Sequence, residues 1–161
     1  YPHCSVRENG LFFAQLKGQS AVELERQLKR VGLYRVQDRK VRQLSKGMLQ
    51  RLGLAIALCG EPEILVLDQP FNGLDPAVLQ GLEKILSDEQ ARGTTLLIST
   101  HTMSAVEPLA THVAVLFDGK LAASGPIESL RDEFGAELSL EAMYHRIALE
   151  RRAGATEMMP A

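Results

Sequence analysis

The residues able to do chemistry fall in three short stretches. Asp68 ends the apolar run Ile64-Leu65-Val66-Leu67, and His101 closes a second such run over residues 94–100. A carboxylate at the carboxyl end of a parallel strand stands where open α/β sheets collect their ligands, and there it can hold Mg²⁺ against a phosphate. It can equally cap a loop. Gln69 follows where nucleotide hydrolysis would want a carboxylate; a carboxamide orients water but takes no proton at neutral pH. Ser45-Lys46-Gly47-Met48 opens an apolar-periodic segment, and the free N–H groups and dipole of a helix start favour an anion. Ser45 serves as an ordinary N-cap in the same geometry. Asp75-Pro76 reads as an N-cap followed by an N1 proline.

The elements that must position these residues alternate. A first helix is expected after "RENG", carrying Leu11, Phe12, Phe13 and Leu16 and stopping at Gly18. Ser20, with Glu23 three positions on, has the capping-box pattern, and Leu24, Leu28 and Val31 form the stripe of a second helix closed by Gly32. Leu49, Leu52, Ala55, Ile56 and Cys59 line the third. "EILVLD" is the continuous apolar run of a strand covered on both faces. A helix with Val78, Leu82, Ile85 and Leu86 inward connects it to the strand "TTLLIST". A short helix from Met103 to Leu109 precedes two strands joined by the hairpin signal Asp118-Gly119. "PIESLRDEF" and "SLEAMYHRIALERR" are helical, with fraying expected after Ala153. The pattern is α/β with a mainly parallel sheet.

Composition sets the bounds. With 45% hydrophobic and 24% charged residues in 161 positions, the chain is globular and large enough for a core. A net charge of −2 gives no electrostatic reason to expect nucleic acid as a partner. No apolar run reaches the roughly 20 residues of a membrane span. Cys4 and Cys59 form no metal or redox spacing, and Cys59 reads as a buried free thiol, which fits the cytosol. His3, His112 and His145 show no ligand spacing; His112 is expected at a helix end or in a loop.

In combination, "LSKGM" followed by "QRLGLAIAL", then "ILVLDQP", "NGLDP" and "LLISTH" resembles, in order and spacing, the ATP-binding cassette (ABC) ATPases. The segments correspond to the signature, Walker B strand, D-loop and H-loop, and LSKGM is a variant familiar among export-type transporters. The resemblance implies a P-loop NTPase-like fold, with residues 1–60 as helical subdomain and signature helix, 61–125 as part of the RecA-like core, and 126–161 as C-terminal helices and tail. It implies ATP and Mg²⁺ as cofactors, with Asp68 on the metal and His101 on the γ-phosphate. Ser45, Lys46, Gly47 and Met48 would meet ATP bound on a second cassette, homo- or heterodimeric, and Asp75 is the D-loop aspartate. Lys46 replaces a common glycine and Met48 the usual glutamine; Phe71 departs from a usual threonine or serine.

Gln69 stands at the position of the usual catalytic glutamate, through natural divergence or an engineered trap. Loss of a general base is worth about 10²–10⁴ in rate, while binding needs no base. No G-x-x-x-x-G-K-[ST] occurs in the sequence. Family order places that loop ahead of Tyr1, so the chain reads as the C-terminal part of a cassette, inactive by itself, with Ile64 to Leu67 in need of further cover. The functions implied are a transporter's nucleotide-binding subunit, peripheral on the inner face of the cell membrane and docked on transmembrane permease subunits; a hydrolysis-deficient ATP-binding regulatory module; or a soluble ABC ATPase of translation or DNA repair.

Overall fold

Ser5 starts the first helix earlier than its apolar pattern suggested. In the computed structural model, which describes residues 1–135 and 137–156, helix α1 spans Val6–Leu16. The Ser5 hydroxyl accepts the Glu8 N–H at 3.1 Å and the Glu8 carboxylate accepts the Ser5 N–H at 2.6 Å, a complete capping box. "RENG" is therefore helix, not its preface, and Asn9 and Gly10 are buried in it. Gly10 is small for a reason: a Cβ there would lie 2.7 Å from Leu24 Cδ1, and Leu24 is itself buried. Gly10→Ala is expected to destabilise by about 1–3 kcal/mol despite alanine's better helix propensity, read as a lower urea midpoint.

Helix α2 (Ala21–Arg30) has only half of its expected box. The Ser20 hydroxyl accepts the Glu23 N–H at 3.2 Å, but the Glu23 carboxylate turns to Arg26 at 2.9 Å and to Gln27 at 2.7 Å. Partial burial pushes the Glu23 pKa up; hydrogen bonds from Arg26 and Gln27 more than reverse this and leave it below the usual carboxylate value. The folded-state pKa is lowered, so this contribution to stability is present above the ordinary carboxylate range and is lost as pH falls through the lowered value.

Helix α3 spans Lys46–Leu58 and packs with α1 and α2. Leu24, Leu28, Val31, Leu33, Leu58 and Cys59 are buried. The inward stripe of α3 is Leu52, Leu54, Ala55 and Leu58, whereas Leu49, expected inward, is 43% exposed. Lys17 Nζ donates to the Ile56 and Ala57 carbonyls at 3.1 and 2.8 Å, serving acceptors that a helix C-terminus leaves open. Cys59 is a buried free thiol, and burial raises its pKa.

Strands β1 (Ile64–Asp68) and β2 (Thr95–Ser99) pair in parallel, Ile64 opposite Thr95 through Asp68 opposite Ser99. Helix α4 (Pro76–Ala91) connects them, burying Leu82 and Leu86. Glu89, also buried on α4, accepts from Arg30 and Arg92, each at 2.6 Å. Leu65 is buried, while Ile64, Val66 and Leu97 are 64%, 66% and 63% exposed, in line with the expectation that this strand needs further cover. An apolar run shows that a strand tolerates cover on both sides, not that both covers are present.

Residues 1–101 form one compact unit and those from Thr102 onward a second. The second begins with α5 (Met103–Val106), followed by antiparallel strands β3 (His112–Phe117) and β4 (Lys120–Pro126). At their turn Asp118 and Gly119 have φ of +48° and +71°, the two left-handed residues of a tight hairpin. The sheets of the described residues are thus one parallel pair and one antiparallel pair. His112 heads β3 rather than ending a helix. Helices α6 (Ile127–Phe134) and α7 (Leu140–Thr156) complete a core of Val115, Ile127, Leu130, Leu140, Met143 and Ile147. Of the tail expected to fray after Ala153, residues 154–156 continue helix α7 instead, and residues 157–161 lie outside the described residues.

Candidate functional site

The parallel register brings Asp68 and Ser99 side by side at the carboxyl ends of β1 and β2. The Ser99 hydroxyl donates to Asp68 Oδ1, fixing the carboxylate without neutralising it. Gln69 then leaves the strand with φ +48°, a left-handed conformation that costs a residue bearing a Cβ about 1–2 kcal/mol. Hydrogen bonds hold it there: its N–H donates to the Ser99 carbonyl at 2.9 Å, and its carbonyl accepts from Asn72 N–H at 3.2 Å and from Gln50 Nε2 at 3.3 Å. Strain of this kind collects at functional turns.

The Gln69 side chain meets His101, with Oε1 2.7 Å from Nδ1. A carboxamide oxygen only accepts, so in this arrangement Nδ1 carries the proton and a neutral ring keeps Nε2 as its acceptor. Asp68, Gln69 and His101, up to 33 positions apart in the sequence (101 − 68), are gathered at one strand end. The arrangement offers a fixed anionic oxygen, an amide able to orient a water, and an imidazole nitrogen.

A second group forms where α3 meets the loop before α4. Ser45 Oγ accepts the Met48 N–H at 3.3 Å. Gly47 lies so close to Leu74 that a Cβ would be 3.2 Å from its Cδ2, and Lys46 Nζ lies 3.2 Å from where a Gly73 Cβ would stand. Gly73, at φ +71°, thus has two reasons to be glycine. The Asp75 carboxylate accepts the Val78 N–H at 3.0 Å, so the expected N-cap is present. The α3 start and the α4 start are in this way packed through residues 46–47 and 73–74.

Two contributors went unremarked in the sequence. Ser99 sits in "LLISTH" two positions before His101, but only the strand register reveals that it faces Asp68. Gln50 lies in the "QR" pair after the LSKGM segment, and its contact with the Gln69 carbonyl has no sequence signal.

Among the described residues no group of three or more His, Cys, Asp or Glu side chains could cage a metal. Asp68 nevertheless fits one kind of ion. Mg²⁺ is commonly held by one or two carboxylates together with substrate phosphates and waters, not by a protein cage. A single carboxylate steadied at one oxygen by the Ser99 hydroxyl is the kind of ligand such an ion takes.

The sequence and the fold are similar to those of known proteins. A family profile described as "ABC transporter" covers residues 1–72. The chain is 35% identical over 153 residues to the lantibiotic transport ATP-binding protein SrtF of Streptococcus pyogenes, covering 94% of this chain and 64% of that protein. The chain is similar over nearly its whole length to ABC ATP-binding subunits. It is also 36% identical over 152 residues to the molybdenum import ATP-binding protein ModC of Mycobacterium tuberculosis, covering 86% of the chain and 41% of that protein. A solved structure titled "Structure of ATP binding subunit of ABC transporter" superposes with a TM-score of 0.81 at 29% identity, over 92% of this chain and 64% of that one. The chain therefore spans somewhat under two thirds of SrtF and of that solved subunit. The P-loop NTPase-like ABC fold expected from the motifs is the fold observed.

Proposed function

We propose that this ABC chain acts within a transporter's nucleotide-binding subunit, which takes up ATP with Mg²⁺ at a head-to-tail interface between two cassettes. Closure of that pair drives transmembrane permease subunits, and hydrolysis resets it, on the inner face of the cell membrane. The observation that carries the reading is the convergence of Asp68, Gln69 and His101 at one sheet end. Asp68 is placed to hold Mg²⁺, which when bound offsets charge on phosphate oxygens. His101, whose Nδ1 is bonded to Gln69, keeps its Nε2 edge for a γ-phosphate. The start of α3 at Ser45, Lys46, Gly47 and Met48 offers N–H groups and a cation to the triphosphate of the partner cassette, and Asp75 orders the loop beside it.

The test uses the full-length polypeptide carrying these residues. Mg²⁺-dependent ATP binding and ATP-induced pairing, followed by fluorescence and by light scattering, are expected for the parent. Asp68→Asn is expected to lower Mg²⁺-dependent turnover by about 10²–10³-fold, and a chelator should reproduce the loss. A parent that neither binds Mg·ATP nor pairs defeats the reading.

Gln69 favours a second reading of the same site. A carboxamide hydrogen-bonded to His101 orients water without removing its proton, so ATP would act chiefly as a clamp on the dimer. Measured turnover separates the two: a clamp holds its nucleotide through many transport-scale intervals, and a working hydrolase does not.

A further inference from the structure

Gln50 is the site-facing side chain to which the proposed function gives no task. It lies on α3, and its Nε2 donates to the Gln69 carbonyl at 3.3 Å. Only the NH₂ end can donate to a carbonyl, so this bond sets the orientation of the whole amide. The other end, Oε1, is consequently buried with no hydrogen-bond partner. It borders a cavity of about 170 Å³ whose wall combines the apolar Leu54, Leu67, Leu74 and Leu82 with the charged Arg51 and Asp68. Asn72 N–H also donates to the Gln69 carbonyl. The donor bond to the residue 69 carbonyl is the contact that asks for glutamine at position 50.

A grip on the left-handed turn accounts for it. We propose that Gln50 is a positioning residue for the hydrolysis assigned above: its amide ties helix α3 to the backbone that aims residue 69. The inference rests on the ATP-cassette reading. The helix whose start would receive the partner's triphosphate is the helix that carries Gln50, so a shift of α3 when two cassettes close reaches residue 69 through this bond. One hydrogen bond thereby links the surface offered to the partner's nucleotide with the turn serving the chain's own.

The experiment compares full-length protein carrying Gln69→Glu, to raise turnover into a measurable range, with the same protein also carrying Gln50→Met or Gln50→Glu. Both substitutions remove the donor; methionine keeps the length of the side chain, and glutamate keeps its size and polarity. The expected result is a kcat lower by about ten- to hundredfold in both, since small misplacements near the reacting atoms cost that much. KM for Mg·ATP stays within about twofold because no nucleotide contact is removed. The thermal midpoint of the methionine variant is unchanged or higher, while amide exchange at residue 69 and Asn72 becomes faster. Unchanged kcat in the methionine variant overturns the proposal, as does a joint decline of kcat, KM and thermal midpoint, which marks a structural role. If the Gln69→Glu parent binds no Mg·ATP, the cassette reading fails on its own evidence. Amide exchange then still discriminates: no change removes the grip itself, and faster exchange leaves a structural tie without catalytic purpose, which also overturns the proposal.

Discussion

Turnover of ATP by the full-length cassette should rise by about 10²–10⁴-fold when Gln69 is replaced by glutamate. The two side chains have the same length and nearly the same shape, so the left-handed turn and its bonds to Ser99 and Asn72 have no reason to move. What changes is that an acceptor able to hold a proton replaces one that cannot. The His101 Nδ1–H, now facing an amide oxygen at 2.7 Å, would face a carboxylate, and charge-assisted hydrogen bonds are shorter and roughly twice as strong. The gain corresponds to about 3–5 kcal/mol of barrier. Phosphate release at saturating Mg·ATP reads it, with Gln69→Ala as the control in which no gain is expected. If ATP binding persists and Gln69→Glu leaves the rate where it was, the missing base is not what limits hydrolysis. The clamp reading is then strengthened for reasons beyond residue 69.

Leu28→Ala is expected to cost about 2–5 kcal/mol of stability. Leu28 is fully buried near the C-terminal end of α2, a helix that packs against α1 and α3. Its loss removes the transfer free energy of the side chain and leaves a cavity that three packed helices close only in part. Against a whole-domain stability of about 5–15 kcal/mol, that is a large fraction, visible as a lower denaturant midpoint by circular dichroism. Val22, on the same helix but 78% exposed, supplies the comparison; Val22→Ala should stay within about 0.5 kcal/mol. Similar costs at both positions would mean that α2 does not dock as described.

Much of the site was legible because its residues announce local structure and chemistry together. Ser45, Ser20 and Asp75 each accept the N–H three positions on, as short polar side chains before an apolar period should. Asp118-Gly119 makes its turn because both residues tolerate positive φ. The first helix was read too short because its start depends on Ser5 and Glu8 bonding reciprocally. A glycine reads as a breaker from its own flexibility; Gly10 is a place where Leu24 comes too near for a Cβ. Glu23 shows the reverse error. Its spacing from Ser20 promised a box, and Arg26 and Gln27 compete successfully for the carboxylate.

The amino-acid sequence by itself determined where the helices and strands begin to alternate, which short residues cap them, and that Asp68, Gln69 and His101 stand at element ends. These follow from backbone sterics and periodicity, which act within a few residues. Only the tertiary structure decided that Asp68 meets Ser99, that Gln69 is held in a left-handed turn against His101, and that Gln50 reaches its carbonyl. It also decided which face of the parallel pair is covered. Those outcomes depend on strand register and on the approach of segments up to about 30 residues apart, where a shift of one residue would change every partner while leaving each local preference satisfied.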